Sequence, residues 1–417
     1  MTARAAGSVP APGPWAVVVA GAVALAVAMG IGRFAFTPLL PMMLHDGVID
    51  LPAASWLASA NYLGYLAGAL LCTFQPWIWA RVTRLPPIDA PWMLRAGLVA
   101  TGVLTLGMAV PWPAGWPLLR FAAGVASALV FVYTSGWVLS QVARLQAPAM
   151  GGVMYTGPGA GIVVSGLFAS AMVQWHWHAA QAWLVFGVLA FVLSALVWRT
   201  FGRGESARPV APAGADSAAA SGPHGAIEVG CLCVAYGIAG FGYIVTATFL
   251  PVIARAALPG SAWLDMFWPI FGFGVFCGAL IASRLRVSGD LRLLLAGAYV
   301  IQAAGIAVGV WSPSLAGFAI GSLMLGLPFT AITFFAMQEV RRLRPALAAS
   351  FMGLATAMYG IGQIVGPPLV ALLLRHSGSA GAGFTRALQV AMGALLGGAL
   401  IYLWMVRAYP MRRAEAA

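Results

Sequence analysis

The sequence predicts an all-α membrane protein with twelve transmembrane helices arranged as two related halves of six. The composition, the spacing of the apolar runs and an internal repeat support this prediction. Of the 417 residues, 61% are hydrophobic and only 8% are charged, and the mean hydropathy is +0.91. A soluble domain carries about a quarter charged residues. This inventory therefore cannot cover a water-facing surface, and it indicates a chain that is solvated by lipid.

The apolar runs are each close to the roughly 20 residues that a helix needs to cross a bilayer. The predicted spans are 15–44, 54–76, 92–112, 115–141, 148–174, 180–200, 226–254, 262–284, 290–311, 314–338, 346–374 and 383–407. Between the sixth and seventh spans, residues 203–225 are rich in Ala, Pro, Gly and Ser, which is typical of a flexible linker. We therefore expect an N-terminal half at 1–202, a cytoplasmic linker at 203–225 and a C-terminal half at 226–417.

Short strings recur in register between the two halves. Gly64-Tyr-Leu-Ala-Gly68 returns as Gly274-Val-Phe-Cys-Gly278 in the second span of each half. Thr37-Pro-Leu-Leu-Pro41 is echoed by Thr248-Phe-Leu-Pro251, and Gln141-Val-Ala-Arg144 by Gln338-Glu-Val-Arg341. Three echoes in register favour duplication. Duplicated halves are typical of secondary transporters that bind their substrate between the repeats.

The charges are distributed unevenly between alternate loops. All 22 basic residues are arginine. Most of those in the loops or at the ends of the spans fall on one side: Arg81, Arg84, Arg144, Arg199, Arg203, Arg208, Arg284, Arg286, Arg341, Arg342, Arg344, Arg407, Arg412 and Arg413. The opposite loops hold Asp46, Asp50 and histidines, with a few arginines. This asymmetry predicts a bacterial inner-membrane protein with both termini in the cytoplasm, and not a nucleic-acid-binding surface.

Several motifs resemble a known family. Gly30-Ile-Gly-Arg-Phe-Ala-Phe-Thr-Pro-Leu-Leu-Pro41, Asn61-Tyr-Leu-Gly-Tyr-Leu-Ala-Gly68 and Gly240-Phe-Gly-Tyr-Ile-Val-Thr-Ala-Thr-Phe-Leu-Pro251 resemble the YbfB/YjiJ branch of the major facilitator superfamily. Gly157-Pro-Gly-Ala-Gly161 is similar to an antiporter motif of that superfamily, although Val153 replaces one expected glycine. The resemblance implies solute transport by rocker-switch alternating access.

Arg33 is the strongest single candidate for substrate binding. It lies well inside the first span, and no acidic residue lies in the same helix. A guanidinium at membrane depth is costly unless it faces a wet cavity or a partner. One hypothesis is that it binds a carboxylate or phosphate of the substrate with its bidentate fork. The alternative is a structural charge, bonded to helix-end carbonyls or to an acid elsewhere in the fold.

The other candidates are an arginine of the fourth span and a set of aromatic and amide side chains. Arg120 is either a residue of the cavity or proton path or a helix-packing residue. The remaining substrate-binding candidates are Phe34, Asn61, Tyr62, Tyr65, Tyr133, Trp137, Tyr155, Tyr243, Gln338, Tyr359 and Gln363. Asn61 with Tyr65, and Tyr359 with Gln363, share a helix face at i,i+4.

Acidic residues are scarce within the spans. None lies mid-helix in the first half, which weakens proton coupling and keeps uniport or exchange open. Glu228 and Asp265 lie near helix ends, where we expect water to solvate them, and Glu339 is expected to pair with the arginines that follow it.

The sequence contains no pattern for a cofactor, a metal site or a catalytic constellation, so we predict that the chain is not an enzyme. We expect a monomer in the lipid bilayer. Its substrate would be a small organic solute that is anionic or amphipathic, and a proton is the candidate coupling ion. The alternative function is a multidrug-type exporter, and a membrane enzyme or a sensor has less support in the sequence.

Overall fold

The computed structural model describes residues 12–81, 89–201, 225–261, 263–285, 289–344 and 348–410. Every regular element in these residues is helical. The α-helices are α1 (Pro14–Leu25), α2 (Phe36–His45), α3 (Leu51–Arg81), α4 (Ala90–Gly107), α5 (Trp116–Arg144), α6 (Gly157–Gln174), α7 (Ala179–Val197), α8 (Ala226–Ala257), α9 (Phe267–Arg284), α10 (Leu291–Trp311), α11 (Leu315–Gly326), α12 (Phe329–Leu343), α13 (Ala348–Arg375) and α14 (Ala380–Ala408).

Within the described ranges the helices make twelve crossings, which confirms the predicted fold class. Eleven of these crossings are long and apolar enough to span a membrane. The remaining one is α4, which has 18 residues and includes Arg95. Some crossings depart from the continuous α-helices that the sequence predicted. The fifth span begins with a 3₁₀ segment at Pro148–Thr156, and two others are broken. The first span divides between α1 and α2, and the tenth divides between α11 and α12 at Pro328, which has no backbone N–H to donate.

The two ends of the helix bundle are distinguished by the helix ends that lie there. The end where α1 begins and α14 finishes is called the terminal end, and the end where α2 finishes at His45 is called the distal end. The predicted linker at 203–225 lies outside the described residues except for Gly225.

The repeated glycine strings have the same structural role in both halves. A Cβ at Gly64 would overlap the carbonyl oxygen of Phe121, so α3 and α5 pack backbone to backbone. A Cβ at Gly278 would likewise overlap the carbonyl oxygen of Leu327, between α9 and the break that leads into α12. Small residues allow such close approach in membranes. The second span of each half therefore packs against the fourth, as expected for a duplicated unit.

The halves meet along α3 with α13 and along α6 with α9, and α2 also contacts α8. Gly159 belongs to this interface, because a Cβ there would overlap the backbone of Phe276 on α9. The broad contacts of these helix pairs hold the two halves together. The interior between α1, α5, α8 and α12 remains available for a binding site.

The break in the first span positions its arginine. Residues Ala26–Ile31 form a π-helical segment, with hydrogen bonds from Gly32 N to Val27 O at 2.9 Å and from Phe34 N to Met29 O at 2.9 Å. A Cβ at Gly30 would overlap the backbone of Gly161 on α6. π-Segments commonly mark functional sites. Here the segment ends at Ile31, two residues before Arg33.

A buried ion cluster stabilises the terminal end of the C-terminal half. Arg292 is fully buried and pairs with Glu228 at 2.9 Å and with Asp290 at 2.7 Å. Its NH1 also donates to the carbonyl of Met405 at 3.1 Å, and Glu339 Oε1 lies 3.7 Å from its Nε. The expectation that water solvates Glu228 is therefore wrong, because a guanidinium from a helix 64 residues away takes the place of water.

Two other predictions about acidic residues have different outcomes. Glu339 pairs with Arg342, which confirms the predicted contact with the following arginines. Asp265 lies near the distal end and pairs with Arg255, and its side chain is only 14% exposed. Its main partner is thus an arginine and not water.

Candidate substrate-binding site

The side chain of Arg33 lies between the two halves, at the level where the first span is broken. It is 3% exposed, and its NH2 donates to Gln363 Oε1 on α13 at 2.6 Å. Three rings surround the guanidinium carbon, those of Tyr65 at 4.1 Å, Tyr62 at 5.2 Å and Phe34 at 5.4 Å. Cation–π contacts partly compensate a desolvated guanidinium.

No aspartate or glutamate of the described residues lies within 4.0 Å of the Arg33 guanidinium. Its Nε is buried and has no hydrogen-bond partner. The alternative of a structural arginine that is neutralised by an acid in the fold therefore finds no such acid in the described part of the chain. The site carries a permanent positive charge, and no acidic group of the described residues lies beside it.

Arg120 has a different role in the same region. Its NH1 and NH2 donate to the carbonyls of Gly32 at 3.3 Å and Arg33 at 3.2 Å, and its guanidinium stacks over Phe36 at 4.9 Å. These carbonyls lie at the break, where regular helical bonding is interrupted. Asn61 in turn donates to the carbonyl of Arg120 at 2.9 Å. Arg120 therefore supports the backbone around Arg33, and Asn61 supports Arg120.

A stack of tyrosines lines the C-terminal half of the site. Tyr359 stacks on Tyr236 at 4.6 Å and on Tyr243 at 5.9 Å, with interplanar angles of 28° and 21°. The hydroxyl of Tyr243 accepts a hydrogen bond from Gln363 Nε2. The stack is thereby connected to Arg33 through one amide side chain. Phe329 closes the edge of the stack at 4.8 Å from Tyr243.

Polar contacts join the halves on the distal side of Arg33. Thr37 Oγ1 donates to the carbonyl of Ala247 at 3.0 Å, the hydroxyls of Tyr62 and Thr248 lie 2.9 Å apart, and Ser59 Oγ donates to the carbonyl of Ile364 at 3.0 Å. These contacts close the distal side of the bundle at this level.

On the terminal side, the rings next to Arg33 are partly accessible. Tyr65 and Tyr359 are each one helical turn closer to the terminal end than Tyr62 and Gln363, and both are half-buried, whereas Tyr62 and Gln363 are 4% and 2% exposed. Exposure therefore increases from Tyr62 and Gln363 toward the terminal end of the bundle.

The structure brings most of the predicted site residues together but not all. Tyr133, Tyr155 and Gln338 are half-buried on helices that face the interior, farther toward the terminal end, without a hydrogen bond to the Arg33 group. Trp137 packs edge-on against Phe201 at 5.0 Å, inside the N-terminal half. Its contact is therefore one of core packing.

Sequence reasoning missed several members of the site. Thr248, Tyr236, Phe329 and Trp268 contact predicted members, with the Trp268 ring 6.1 Å from that of Phe34. One available signal was the echo of Thr37 in Thr248, because both hydroxyls bridge the halves. The aromatic members carried no signal that separates them from ordinary packing residues.

Two pseudo-repeated six-helix halves with a charged site between them, and polar contacts that join the halves on one side of it, are the architecture of a secondary transporter. The chain belongs to the major facilitator family whose model is described as "Uncharacterised MFS-type transporter YbfB", which matches residues 25–403. The predicted family, the transport function and the absence of an enzymatic role are thereby confirmed.

Two known proteins show how far the similarity extends. A chloramphenicol resistance protein of Streptomyces lividans is 27% identical over 404 residues, and the match covers 88% of this chain and 92% of the relative. The crystal structure of a point mutant of the nucleoside transporter NupG has a TM-score of 0.70 at 13% identity, covering 93% of this chain and 99% of the other. The second similarity shows the fold alone.

Proposed function

We propose that this transporter carries a small organic anion and binds it at Arg33 between the two halves. The observation that carries the proposal is a buried, permanently charged guanidinium without a carboxylate partner in the described residues. Its amide partner Gln363 provides a carbonyl oxygen, and a substrate carboxylate would replace this weak acceptor with a full negative charge. The transport cycle would alternate between the observed distal closure and a state open at the distal end.

The experiment compares substrate binding with folding in the same variants. We expect Arg33→Gln to abolish stabilisation by organic anions, and Arg33→Lys to weaken it strongly because an ammonium cannot make bidentate contacts. The loss should be about 2–5 kcal/mol of binding free energy, or two or more decades in affinity. Arg375→Gln, which removes the same charge from an exposed position, is the matched control.

The readouts are thermal shift and uptake into proteoliposomes, since a ligand that binds the native state raises the melting temperature. Normal anion binding by Arg33→Gln would refute the proposed site. An early-melting Arg33→Gln variant that binds anions normally would show instead that the arginine is structural.

Membrane orientation forms part of the proposal. The arginine-rich loops at the terminal end support an inner-membrane protein with both termini in the cytoplasm. Reporter fusions near Asp216 and at Ala417 should report cytoplasm, and a fusion near Asp46 should report periplasm. If the first two fell on opposite sides, this topology would be wrong.

The neutral surroundings of Arg33 favour uniport or anion exchange over proton symport, because no carboxylate among its described neighbours can carry a proton. Counterflow of labelled substrate in proteoliposomes should proceed without a pH gradient. An absolute requirement for a proton gradient would contradict this assignment.

A multidrug-type exporter is the second candidate, and the chloramphenicol resistance function of the Streptomyces lividans relative supports it. Chloramphenicol has no carboxylate, so its recognition would not need Arg33. Resistance conferred equally by the wild type and by Arg33→Gln would favour this candidate over the anion transporter.

A further inference from the structure

The walls around Arg33 restrict the kind of anion that fits. We propose that the substrate is an aromatic monocarboxylate, whose carboxylate binds Arg33 and whose ring packs among the tyrosines. This inference rests on the proposed function and deepens it. Two independent features support it, the number of available cations and the arrangement of the rings.

The number of guanidiniums available at the site indicates a substrate with a single negative charge. Arg33 and Arg120 are the two guanidiniums at the break, and each keeps a buried Nε without a hydrogen-bond partner. Both terminal nitrogens of Arg120 are engaged by backbone carbonyls, at 3.2 and 3.3 Å, whereas Arg33 donates to an amide side chain that can move away. A second carboxylate on the substrate would lose its hydration and find no available cation. An ammonium group would find no carboxylate among the described neighbours of Arg33.

The ring arrangement points to an aromatic body. Tyr65 lies against Arg33 at 4.1 Å on one side, and the stack of Tyr243, Tyr359 and Tyr236 extends from Gln363 on the other. A carboxylate that displaces Gln363 from Arg33 would place its attached group between Tyr65 and Tyr359. Both of these rings are half-buried, so each keeps some accessible surface for contact with a bound ring. Planar rings gain from offset stacking beyond their burial alone.

The test uses the purified full-length protein and five probes that differ in one property each. Benzoate is the aromatic monoanion, and cyclohexanecarboxylate keeps its charge without the π-system. Benzamide keeps the ring without the charge, terephthalate adds a second carboxylate and 4-(aminomethyl)benzoate adds an ammonium. We expect benzoate to bind about three- to tenfold tighter than cyclohexanecarboxylate. We expect benzamide, terephthalate and 4-(aminomethyl)benzoate to bind at least about tenfold more weakly than benzoate, because each leaves a group unpaired.

Two variants of one residue provide an internal control. Tyr359→Phe keeps the ring and should retain the preference for benzoate over cyclohexanecarboxylate. Tyr359→Leu removes the ring and should equalise the two affinities, while binding of cyclohexanecarboxylate confirms that the protein is folded. The panel on the wild type stands on its own if Tyr359→Leu does not fold.

The outcomes separate this inference from the proposed function. If benzoate and cyclohexanecarboxylate bind equally and both depend on Arg33, the aromatic assignment is overturned while the anion site stands. Tighter binding of terephthalate than of benzoate would overturn the single charge in the same way. If no carboxylate binds in an Arg33-dependent manner, the proposed function fails as well.

Discussion

The guanidinium of Arg33 and the amide oxygen of Gln363 lie 2.6 Å apart, although 330 residues separate them in the sequence. The pair connects the first span of one half to the fifth span of the other. It also places a neutral oxygen where an anionic oxygen would bind more strongly. A substrate anion would therefore compete with a contact that holds the two halves together, and this couples binding to the interface between the halves.

Changing Gln363 to Glu should provide Arg33 with a permanent counter-ion. We expect the Gln363→Glu protein to lose anion binding by about two decades in affinity, since the internal carboxylate occupies the guanidinium. The melting temperature should stay level or rise, because the variant neutralises a buried charge. Calorimetric titration with benzoate and differential scanning fluorimetry measure the two effects, and Gln363→Met controls for loss of the amide alone. Retained benzoate affinity in the Glu variant would contradict the competition.

Replacing Arg120 should affect stability more than ligand selectivity. Its two hydrogen bonds to Gly32 O and Arg33 O support the broken first span. Bonds from charged donors contribute about 1.5–3 kcal/mol each, so Arg120→Met should lower the melting temperature by several degrees. Arg120→Lys should recover part of this loss. The order of affinities among the five probes should stay the same in any variant that folds. A reversed order would show that Arg120 binds substrate directly.

The two halves offer a matched pair of arginines at the terminal end. Arg292 is fully buried among carboxylates, whereas its counterpart Arg95 is half-buried, stacks on Trp198 and donates to the carbonyl of Trp198 at 2.9 Å. Arg292→Met would break the buried ion pair with Glu228 and the contact with Asp290, and should cost about 3–5 kcal/mol of stability. Arg95→Met leaves no buried acid and should cost clearly less. Melting temperatures and expression yields of the two variants make the comparison, and equal losses would count against the buried cluster.

Asp46 provides a pH-dependent contribution outside the membrane-spanning segments. Its Oδ2 accepts from the N–H of Ala179 at 2.7 Å, and its Oδ1 lies 3.1 Å from His178 Nδ1. Partial burial alone would raise the pKa of Asp46, but the hydrogen bonds from Ala179 and His178 and the nearby histidine charges outweigh it and hold the pKa below its usual value. A depressed carboxyl pKa stabilises the fold above the unfolded value of about 3.9 and loses that effect as the pH falls through the folded value.

The wild type should therefore melt higher than Asp46→Asn at pH 7, and the gap should close as the pH is lowered from about 5 to about 3. Thermal melts in buffers across that range measure it, with Asp50→Asn as the control at a neighbouring position. A gap that widened in acid would reverse the assigned sign of the effect.

Particular residues show how far the sequence could predict this molecule. The lipid-facing composition predicts the fold class, and the strings at Gly64 and Gly278 predict the duplication. Both could be predicted from the sequence because burial and close packing depend on local patterns. Arg33 could be identified from the sequence because a charge in an apolar run is costly unless it faces a wet cavity or a partner. Its pairing with Gln363, and that of Arg292 with Glu228, could not be predicted because both depend on helices that meet only in three dimensions. The break before Arg33 was missed because a glycine-rich apolar run looks continuous by hydropathy.

The π-helical segment Ala26–Ile31 has a consequence for the evolution and engineering of this chain. An i→i+5 turn holds one residue more than an α-turn, so everything after it in the first span is rotated by about 100° relative to an uninterrupted helix. Deleting a single residue within this segment would let a regular helix form and would turn the residue-33 side chain away from Gln363 without changing its chemistry. The orientation of Arg33 in the anion site thus depends on the number of residues in the π-helical segment before it. A one-codon deletion upstream of Arg33 should abolish substrate binding as completely as replacement of the arginine itself.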